Sequence, residues 1–366
     1  MTSALSGDHI PAPPAGPLPA VSVIMPVLNE ERHLAEAVSS ILAQDYPGPL
    51  EVILALGPSR DATDGIAAAL ARDPRVRTVV NPSGRTPTAL NTALASATGE
   101  VIVRLDAHAV VAEDYVRTAV RTLLQTDAVN VGGIMAAAGL TPWQQAVAVA
   151  MTSPLGVGGA PHHVGGRAGA ADTVYLGVYR RAALLAVGGF DERFLRAQDW
   201  EINFRLRQAG GLVWFTPELC VTYRPRATLR GLAAQYYGYG RWRRAVNRRH
   251  RTTSLRYLAA PLTVAALLTG ALLVTIGLGA LCWAWLGPAT GPGEWVAGVV
   301  TGLGLLPLLG YGALVLGGGG WISRGQRWRV CARVPGALAA MHLCWGWGYL
   351  TSPRNLPERM GVAPRG

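Results

Sequence analysis

The chain has 366 residues, of which 50% are hydrophobic and only 15% are charged, and its mean hydropathy is +0.25. That hydropathy is unusual for a wholly water-soluble protein, so the composition predicts a membrane portion beside a folded domain. The net charge of +11 indicates nucleic acid, an anionic membrane face or phosphorylated substrates as partners. Four cysteines without a C-x-x-C pair argue against a zinc site or a disulfide framework, and they favour a reducing, cytoplasmic environment.

The first 20 residues are rich in Pro, Ala and Gly and lack the features of a signal peptide, so they predict a disordered leader. Strand and helix patterns then alternate along the chain. The predicted strands are 21–27, 51–56, 76–80 and 101–105, and the predicted helices between them are 30–43, 64–71 and 87–97. This alternation predicts an α/β fold in which helices cover both faces of a parallel sheet.

Polar segments follow the predicted strands, at the sheet edge where open α/β folds bind ligands. These segments are Pro26-Val-Leu-Asn-Glu30, Ser59-Arg-Asp61-Ala-Thr63 and Asp106-Ala-His108. No G-x-G-x-x-G follows the first strand and no G-K-[ST] occurs, which argues against dinucleotide and P-loop sites. Taken singly, Asn29, Asp61 and Asp64 are explained as helix caps and turn formers. Taken together with Asp106, they indicate a ligand-binding edge.

Two further motifs are Gly188-Gly-Phe-Asp191-Glu192 and Gln198-Asp199-Trp-Glu201-Ile-Asn-Phe-Arg205. With the strand-end segments they occur in order between residues 21 and 242, and the set resembles the family 2 inverting glycosyltransferases. Within that family the likeness is greatest to the membrane-attached enzymes of succinoglycan-type exopolysaccharide synthesis. The resemblance implies a GT-A fold, which is a Rossmann-like nucleotide-sugar-binding domain. It also implies sugar transfer from a nucleotide diphosphate donor with inversion.

The resemblance also implies which residues bind the donor. They are Pro26, Asn29, Glu30, Ser59, Asp61, Arg85 and Asp106. Because the diphosphate leaves with negative charge, the reaction needs a nearby cation, and a hard divalent metal needs oxygen ligands. Asp106 and His108 are the predicted ligands of Mn²⁺ or Mg²⁺; many relatives carry an acid at the position of His108. Leu56 stands where relatives usually place an Asp that touches the uracil or ribose.

Inverting transfer is a single displacement, so a base must take the proton of the acceptor hydroxyl. By resemblance Asp199 is that base, although relatives mostly have Glu at the position of Gln198. A second interpretation makes Asp199 the N-cap of an amphipathic helix over 200–209 that stops at Gly210. The predicted acceptor-binding residues are Gln198, Trp200, Gln235, Arg241 and Trp242. The last three are similar to the Q-x-x-R-W element of processive relatives, but their spacing differs.

A glycine-rich segment over 154–172 contains His162 and His163. It is interpreted either as a loop that closes over donor and acceptor or as an exposed flexible loop. No metal-ligand spacing supports a role for the two histidines.

The C-terminal half turns basic and then apolar. Residues 224–256 contain ten arginines and no acid, and an uncharged run over 258–286 follows them. An interfacial helix on anionic lipid explains this pattern better than nucleic acid binding does. The runs over 258–286 and 295–316 are long enough to span a bilayer, and flanking arginines predict a hairpin with cytoplasmic ends. The apolar stretch over 334–350 is shorter and is interpreted as a third span or a re-entrant segment.

The predicted organisation is a leader (1–20), a GT-A domain (21–223), a basic interfacial segment (224–257), a membrane region with two or three transmembrane helices (258–352) and a tail (353–366). The first functional hypothesis is a multi-pass cell-membrane enzyme whose cytoplasmic domain transfers a sugar to a lipid-linked glycan or polysaccharide acceptor, with metal dependence and without nucleic acid. The alternative is a catalytically silent nucleotide-sugar-binding subunit of a polysaccharide synthesis or export assembly. Asp106 and Asp199 favour the enzyme, whereas Leu56 and Gln198 favour the silent subunit.

Overall fold

A computed structural model describes residues 17–286 and 293–360. Most of the predicted leader, part of the predicted tail and most of the segment between the two predicted spans lie outside the described residues. In chain order the strands are β1 (Val21–Val27), β2 (Leu50–Leu56), β3 (Val76–Val80), β4 (Val101–Arg104), β5 (Asn130–Ala137), β6 (Gly169–Ala170), β7 (Tyr175–Arg180) and β8 (Val213–Tyr223). The helices are α1 (Leu34–Leu42), α2 (Thr63–Leu70), α3 (Thr86–Ser96), α4 (Tyr115–Thr126), α5 (Pro142–Met151), α6 (Pro154–Val157), α7 (Pro161–Val164), α8 (Arg181–Ala186), α9 (Gln198–Gln208), α10 (Leu229–His250), α11 (Ala259–Leu286), α12 (Gly293–Ile322), α13 (Trp328–Cys331), α14 (Val334–Thr351) and α15 (Leu356–Arg359), with a 3₁₀ turn at Leu255–Tyr257.

The described residues form two compact units. The first lies within Met1–Ala136 and Ala160–Tyr223 and contains the sheet. The second lies within Ala137–Gly159 and Arg224–Gly366 and is helical. Helices α5 and α6 therefore group with the C-terminal helices, although the predicted domain 21–223 includes their residues.

The sheet of the first unit has eight strands in the order β3-β2-β1-β4-β7-β5-β8-β6. Strand β1 pairs in parallel with β2 and β4, and β2 pairs in parallel with β3. Strand β7 is antiparallel to both β4 and β5, and β6 is antiparallel to β8. The parallel half is the part that the strand and helix alternation predicts. The antiparallel half adds strands from later in the chain.

Alternate side chains of the parallel strands enter separate cores on the two faces of the sheet. Val23 and Met25 pack on the face covered by α1, whereas Ile24 and Ile102 pack on the face covered by α3 and α9. Each fully buried aliphatic side chain of this kind stabilises the fold by roughly 1.5–3 kcal/mol. The same alternation places Arg104, two residues after Ile102, on the face that carries α9.

Glu51 forms a partly buried polar cluster at the start of β2. Its carboxylate accepts hydrogen bonds from the hydroxyl groups of Ser22 (2.6 Å) and Thr98 (2.7 Å) and from the guanidinium of Arg77 (2.7 Å). Burial alone would raise the pKa of Glu51, but these hydrogen bonds lower it to about 2. A depressed pKa stabilises the fold above the ordinary value of 4.5, and that stability is lost as the pH falls toward 2.

We therefore expect Glu51→Gln to remove roughly 2 kcal/mol of unfolding free energy at pH 7, which corresponds to about 4 °C in the unfolding midpoint. The measurement is thermal unfolding of detergent-purified protein between pH 7 and pH 4, where the gap to wild type should narrow below the ordinary pKa. Glu218→Gln is the matched control, because Glu218 is half exposed in its ion pair with Arg121. An equal gap at every pH would contradict the role assigned to the ionised carboxylate.

The second unit contains two helices, α11 and α12, that are long and apolar enough to cross a membrane, with mean hydropathies of 2.2 and 2.0. Glycines line their contact, because a Cβ added to Gly270 would lie 2.7 Å from the carbonyl oxygen of Gly304. Small residues of this kind let helix backbones approach closely, as they do between membrane helices. Among the described residues only these two helices combine that length and hydropathy.

Helix α10 carries much of the basic segment, and several of its arginines have protein partners. Arg244 donates to the carbonyl oxygens of Tyr349 (2.8 Å) and Leu350 (2.9 Å), and Arg248 donates to that of Ser352 (3.0 Å). These donors satisfy carbonyl groups left open at the C-terminal end of α14. Part of the basic segment is thus used inside the second unit, and its position at a membrane interface stays a prediction. Exposed arginines of the segment are Arg224, Arg226, Arg230, Arg248, Arg249, Arg251 and Arg256.

Candidate functional site

The carboxyl ends of β1, β2 and β4 meet at one edge of the sheet. Val27 pairs with Leu56, and Ile24 pairs with Arg104, so β4 ends before its neighbour does. Pro26 therefore lies beyond the last pair between β1 and β4, where its missing N–H breaks no ladder bond on that side. The strand ends predicted to bind a ligand are neighbours in space within the first unit.

The loops after β1 and β2 are tied together by side-chain to backbone hydrogen bonds. The N–H of Asn29 donates to Ser59 Oγ at 3.0 Å, and the N–H of Arg60 donates to Asn29 Oδ1 at 2.9 Å. Asn29 has a φ of 55°, a left-handed conformation that Asn tolerates better than most residues. The predicted donor residues Asn29 and Ser59 thus hold two loops in one conformation.

Asp61 and Thr63 complete the same arrangement. Asp61 Oδ1 accepts from the N–H of Thr63 at 3.1 Å, and Thr63 Oγ1 accepts from the N–H of Glu30 at 2.7 Å. These are the turn-forming roles that were the simpler interpretation of Asp61 in the sequence analysis. Direct donor contact by Asp61 stays a prediction. Arg85 lies at the N-terminal end of α3, after β3, on the same edge.

Two carboxylates from distant parts of the chain meet on Arg104, the last residue of β4. Arg104 Nη1 donates to Asp199 Oδ1, and Nη2 lies 3.4 Å from Asp106 Oδ1. The Arg104 side chain is only 6% exposed, whereas both carboxylate side chains are 25% exposed. The predicted donor acid and the predicted base are therefore joined by one buried guanidinium.

The electrostatics of this cluster follow from burial and from its charges. Burial alone would lower the pKa of the Arg104 guanidinium, but Asp199 and Asp106 raise it above its ordinary value, so Arg104 remains charged. Burial raises the pKa of the Asp199 carboxyl, Arg104 opposes that rise, and Asp106 adds to it. Burial and the same two carboxylates raise the pKa of Tyr175 well above its ordinary value. A carboxylate with a raised pKa is the kind of group that suits proton transfer.

Leu176 of β7 supplies a second contact to Asp199. Its backbone N–H donates to the Asp199 carboxylate. Leu176 is fully buried and has a φ of 44°, in the left-handed region that disfavours residues with a Cβ by roughly 1–2 kcal/mol. The pairing of β5 with β7 shifts register between Val131 and Gly133, opposite this stretch. Strain of this kind persists where the surrounding structure enforces it, often at functional sites.

Helix α9 presents Asp199 in its first turn. The helix begins at Gln198 and its N-cap is Ala197, with a φ of 63°, so the interpretation of Asp199 as N-cap is wrong. Gln198 donates its amide to the carbonyl oxygen of Leu195 at 3.0 Å, and Trp200 is 7% exposed with its ring stacked on Phe204. Acceptor binding by Gln198 and Trp200 stays a prediction.

The segment before α9 is fixed by Asn91 of α3. Asn91 Nδ2 donates to the carbonyl oxygen of Phe190 and Asn91 Oδ1 accepts from the N–H of Phe190, both at 2.8 Å. Gly189 has a φ of 67°, and a Cβ there would lie 2.7 Å from Asn91 Oδ1, so a larger residue does not fit. Arg205 donates to the carbonyl oxygen of Gly189 at 2.8 Å. The predicted Gly188-Gly-Phe motif is thus a structural support for the start of α9.

The remaining predicted residues lie on other elements of the chain. Gln235, Arg241 and Trp242 lie on α10 in the second unit, and Gln235 Nε2 donates to Tyr239 Oη at 2.7 Å. His162 and His163 lie in α7, half-buried with their rings 4.4 Å apart, and burial lowers the pKa of His163 to about 4. The interpretation of the histidines as part of an exposed loop is therefore wrong, and their relation to a ligand stays a prediction.

The sequence prediction missed Arg104 and Leu176. For Arg104 a signal was present. It is the only charged residue of the predicted strand 101–105, and it lies two residues after the apolar Ile102, so the two side chains point to the same face of the sheet. A charge at a core-facing position demands a partner. For Leu176 no comparable signal exists, because a leucine in a strand gives no indication of a left-handed backbone.

Comparisons with known proteins identify the family of the chain. The family model described as Glycosyl transferase family 2 matches residues 22–170. Succinoglycan biosynthesis protein ExoA of Rhizobium meliloti (strain 1021) is 33% identical over 330 residues, which cover 89% of this chain and 93% of that protein. The chain belongs to glycosyltransferase family 2. This glycosyltransferase is also similar to a protein of Methanococcus voltae, at 24% identity over 60% of this chain and 71% of that one. That protein is the dolichyl N-acetyl-alpha-D-glucosaminyl phosphate 3-beta-D-2,3-diacetamido-2,3-dideoxy-beta-D-glucuronosyltransferase.

The fold of this glycosyltransferase is also similar to that of a solved structure. The mannosyltransferase PcManGT from Pyrobaculum calidifontis, in complex with GDP-Man and Mn²⁺, superposes with a TM-score of 0.53 at 20% identity, over 90% of this chain and 88% of that one. The predicted GT-A fold is confirmed, as are two C-terminal apolar helices that could span a membrane.

The residues of the site fit a divalent metal that is shared with a phosphate ligand. Among the described residues no three His, Cys, Asp or Glu side chains form a group that could hold a metal by themselves. His108 Nδ1 lies 3.0 Å from Glu30 Oε1, and because a carboxylate only accepts, Nδ1 carries the proton in this contact. The neutral form of the imidazole would offer Nε2 to a metal. Asp106 and His108 thus form a partial donor set. Mn²⁺ and Mg²⁺ commonly complete such a set with phosphate oxygens and water.

Proposed function

We propose that this glycosyltransferase moves a sugar from a nucleoside diphosphate donor to a lipid-linked or polysaccharide acceptor, with inversion at the anomeric carbon. The observation that supports this most is the joining of Asp106 and Asp199 through Arg104. Inverting transfer needs two functions a short distance apart, one that stabilises the leaving diphosphate and one that takes the acceptor proton. Arg104 brings one carboxylate for each function to the carboxyl edge of the sheet.

The proposed roles follow from the chemistry of each group. Asp199 accepts the proton of the acceptor hydroxyl as its oxygen bonds to the anomeric carbon, while the bond from that carbon to the diphosphate oxygen breaks and the diphosphate leaves with the electron pair. Asp106 and His108 would hold Mn²⁺ or Mg²⁺, which when bound neutralises the developing charge of the diphosphate. The loops closed by Asn29 and Ser59 shape the nucleotide side of the site.

The acceptor class is proposed from the relatives and the second unit. The protein from Rhizobium meliloti is named for succinoglycan biosynthesis and the one from Methanococcus voltae for transfer to a dolichyl-linked sugar. A protein with two candidate spans and a row of exposed arginines beside them is suited to work at an anionic membrane surface. We therefore place the reaction in exopolysaccharide synthesis at the cell membrane.

The test is a screen of the detergent-purified protein with UDP-, GDP- and dTDP-sugars and a lipid extract as acceptor, with release of the nucleoside diphosphate as the readout. One donor should give release that depends on both Mn²⁺ and extract, and the anomeric configuration of the product, read by NMR, should be opposite to that of the donor. Tight binding of a nucleotide sugar without release from any donor would instead establish the silent binding subunit.

We also propose that α11 and α12 cross the membrane out and back, with the sheet domain in the cytoplasm. In a cysteine-free background, a cysteine introduced at Thr290 should react with an impermeant maleimide in intact cells. A cysteine at Ser59 should react only after lysis. The reasons are the arginines that flank the pair and the cytoplasmic origin of sugar nucleotides. Labelling of Ser59 in intact cells would contradict both the orientation and the donor assignment.

A further inference from the structure

A buried arginine at the end of an apolar strand requires an explanation. Arg104 is 6% exposed, and its Nε is buried without a hydrogen-bond partner. Burying a guanidinium is unfavourable unless charged groups pair with it, and an unpartnered N–H adds to that penalty. A structural arginine at such a position would use its donors on backbone carbonyls, as Arg180 does with those of Ala128 (3.0 Å) and Leu123 (2.8 Å), while the carboxylate that lies 3.5 Å from it, Asp127, is fully exposed. Arg104 instead has two carboxylates at its terminal nitrogens.

The two contacts of Arg104 are unequal. Nη1 makes the closer contact, with Asp199, whereas Nη2 lies 3.4 Å from Asp106. Asp199 is also held by the N–H of Leu176, which the neighbouring strand turns toward it at the expense of a strained backbone. The carboxylate of Asp199 is thus fixed from two adjacent strands, β4 and β7. Asp106 is held more loosely and keeps oxygen atoms for another ligand.

We propose that Arg104 is a positioning residue of the transfer reaction, which fixes Asp199 for the acceptor and restrains Asp106 until donor and metal bind. The inference rests on the proposed function, because that function gives the two carboxylates their separate roles. The planar fork of a guanidinium can contact two carboxylates at once, which an ammonium group cannot do with the same geometry.

The net charge of the cluster predicts a change in Mn²⁺ affinity, which can be measured without the transfer reaction. Asp106, Asp199 and Arg104 together carry one net negative charge, and replacing Arg104 by Met raises that to two while freeing both carboxylates. A divalent cation should then bind the nucleotide-free protein more tightly, by about tenfold, since a nearby positive charge has been removed. Loss of an arginine that supports the fold without contacting Asp106 or Asp199, such as Arg180, would leave Mn²⁺ affinity unchanged.

The experiment compares Arg104→Met, Arg104→Lys and the control Arg180→Met in the full-length, detergent-purified protein. Mn²⁺ alone is titrated by calorimetry, and kcat and KM are measured with the active donor. Arg104→Met should bind Mn²⁺ about tenfold more tightly and lose about 10²-fold in kcat with a smaller change in the KM of the donor. Arg104→Lys should keep a Mn²⁺ affinity near wild type and recover part of kcat. Arg180→Met should match wild type in both.

Two results would overturn the inference. One is an Arg104→Met protein with unchanged Mn²⁺ affinity and near-normal kcat, and the other is an Arg104→Lys protein with full kcat. If Arg104→Met does not fold, the double variant Arg104→Met/Asp199→Asn removes one of the two unpaired carboxylates. The inference then requires the double variant to fold, and failure to fold counts against it. If the wild type transfers no sugar, the proposed function fails, whereas the Mn²⁺ titration still decides the role of Arg104.

Discussion

Replacing Asp199 by Asn should lower kcat by about 10²-fold or more while binding of the donor diphosphate stays close to wild type. An amide has the size of the carboxylate but cannot take the proton of the acceptor hydroxyl. Arg104 keeps Asp106 as a charged partner, so the site should remain assembled. The measurement is the single-turnover rate per folded molecule, together with calorimetry of nucleoside diphosphate in the presence of Mn²⁺.

The pH dependence supplies a second measurement of the same role. Burial raises the pKa of Asp199, and a base works only when ionised, so the wild-type rate should fall as the pH drops through that raised pKa. Asp199→Asn should lose most of its activity, and its remaining rate should no longer fall in this way as the pH drops. Asp172→Asn is the matched control, because Asp172 is an acid of the same unit that is 58% exposed and pairs with Arg207. A variant with normal turnover and only a lower unfolding temperature would show that Asp199 has a structural role alone.

The parallel half of the fold could be predicted because each of its strand and helix units is formed by residues that are close together in the sequence. A run of apolar residues, a turn and an amphipathic helix repeat from Val21 onward, and such units form parallel sheets. The edge that carries Asp106 follows from the rule that the carboxyl ends of parallel strands meet. Two of the four predicted strands, β1 and β3, have the bounds that the structure shows.

The antiparallel half could not be predicted in the same way, because its strands pair across long separations in sequence. Strand β7 lies between β4 and β5, and β8 lies between β5 and β6. Nothing local to Tyr175–Arg180 indicates that it pairs with Val101–Arg104. The contact between Arg104 and Asp199, which are 95 residues apart, depends on this order. The predicted roles of the two acids came from resemblance, whereas their link came only from the structure.

The second unit also contains a segment that the sequence pattern assigned to the first domain. Ala137–Gly159 precedes β6 in the chain but groups with the C-terminal helices. Leu155 shows why, since its carbonyl oxygen lies 2.8 Å from His342 Nε2 and a Cβ on Gly318 would lie 2.6 Å from its side chain. A domain boundary drawn from a change in composition at residue 224 does not detect such an insertion.

Replacing Asp106 by Ala should abolish transfer, with a loss of about 10³-fold or more, and should remove most of the Mn²⁺ dependence of nucleoside diphosphate binding. Asp106 follows a buried strand at the ligand edge, a quarter of its side chain is exposed, and its contact with Arg104 is the looser of the two. It is therefore the carboxylate available to a metal and diphosphate. Calorimetry of UDP and GDP with and without Mn²⁺ measures this dependence directly.

The controls for Asp106→Ala separate an effect on metal binding from an effect on folding and from the loss of any one negative charge. Asp114→Ala removes an exposed acid at the start of α4 that makes no side-chain capping bond, so it should leave both activity and Mn²⁺ dependence unchanged. His108→Ala should weaken the Mn²⁺ dependence less than Asp106→Ala does, because the imidazole is 52% exposed and would offer the metal a nitrogen without the charge of a carboxylate. If Asp106→Ala bound the diphosphate with the wild-type response to Mn²⁺, the metal would have to be held elsewhere. Asp106 would then serve only as the second partner of Arg104.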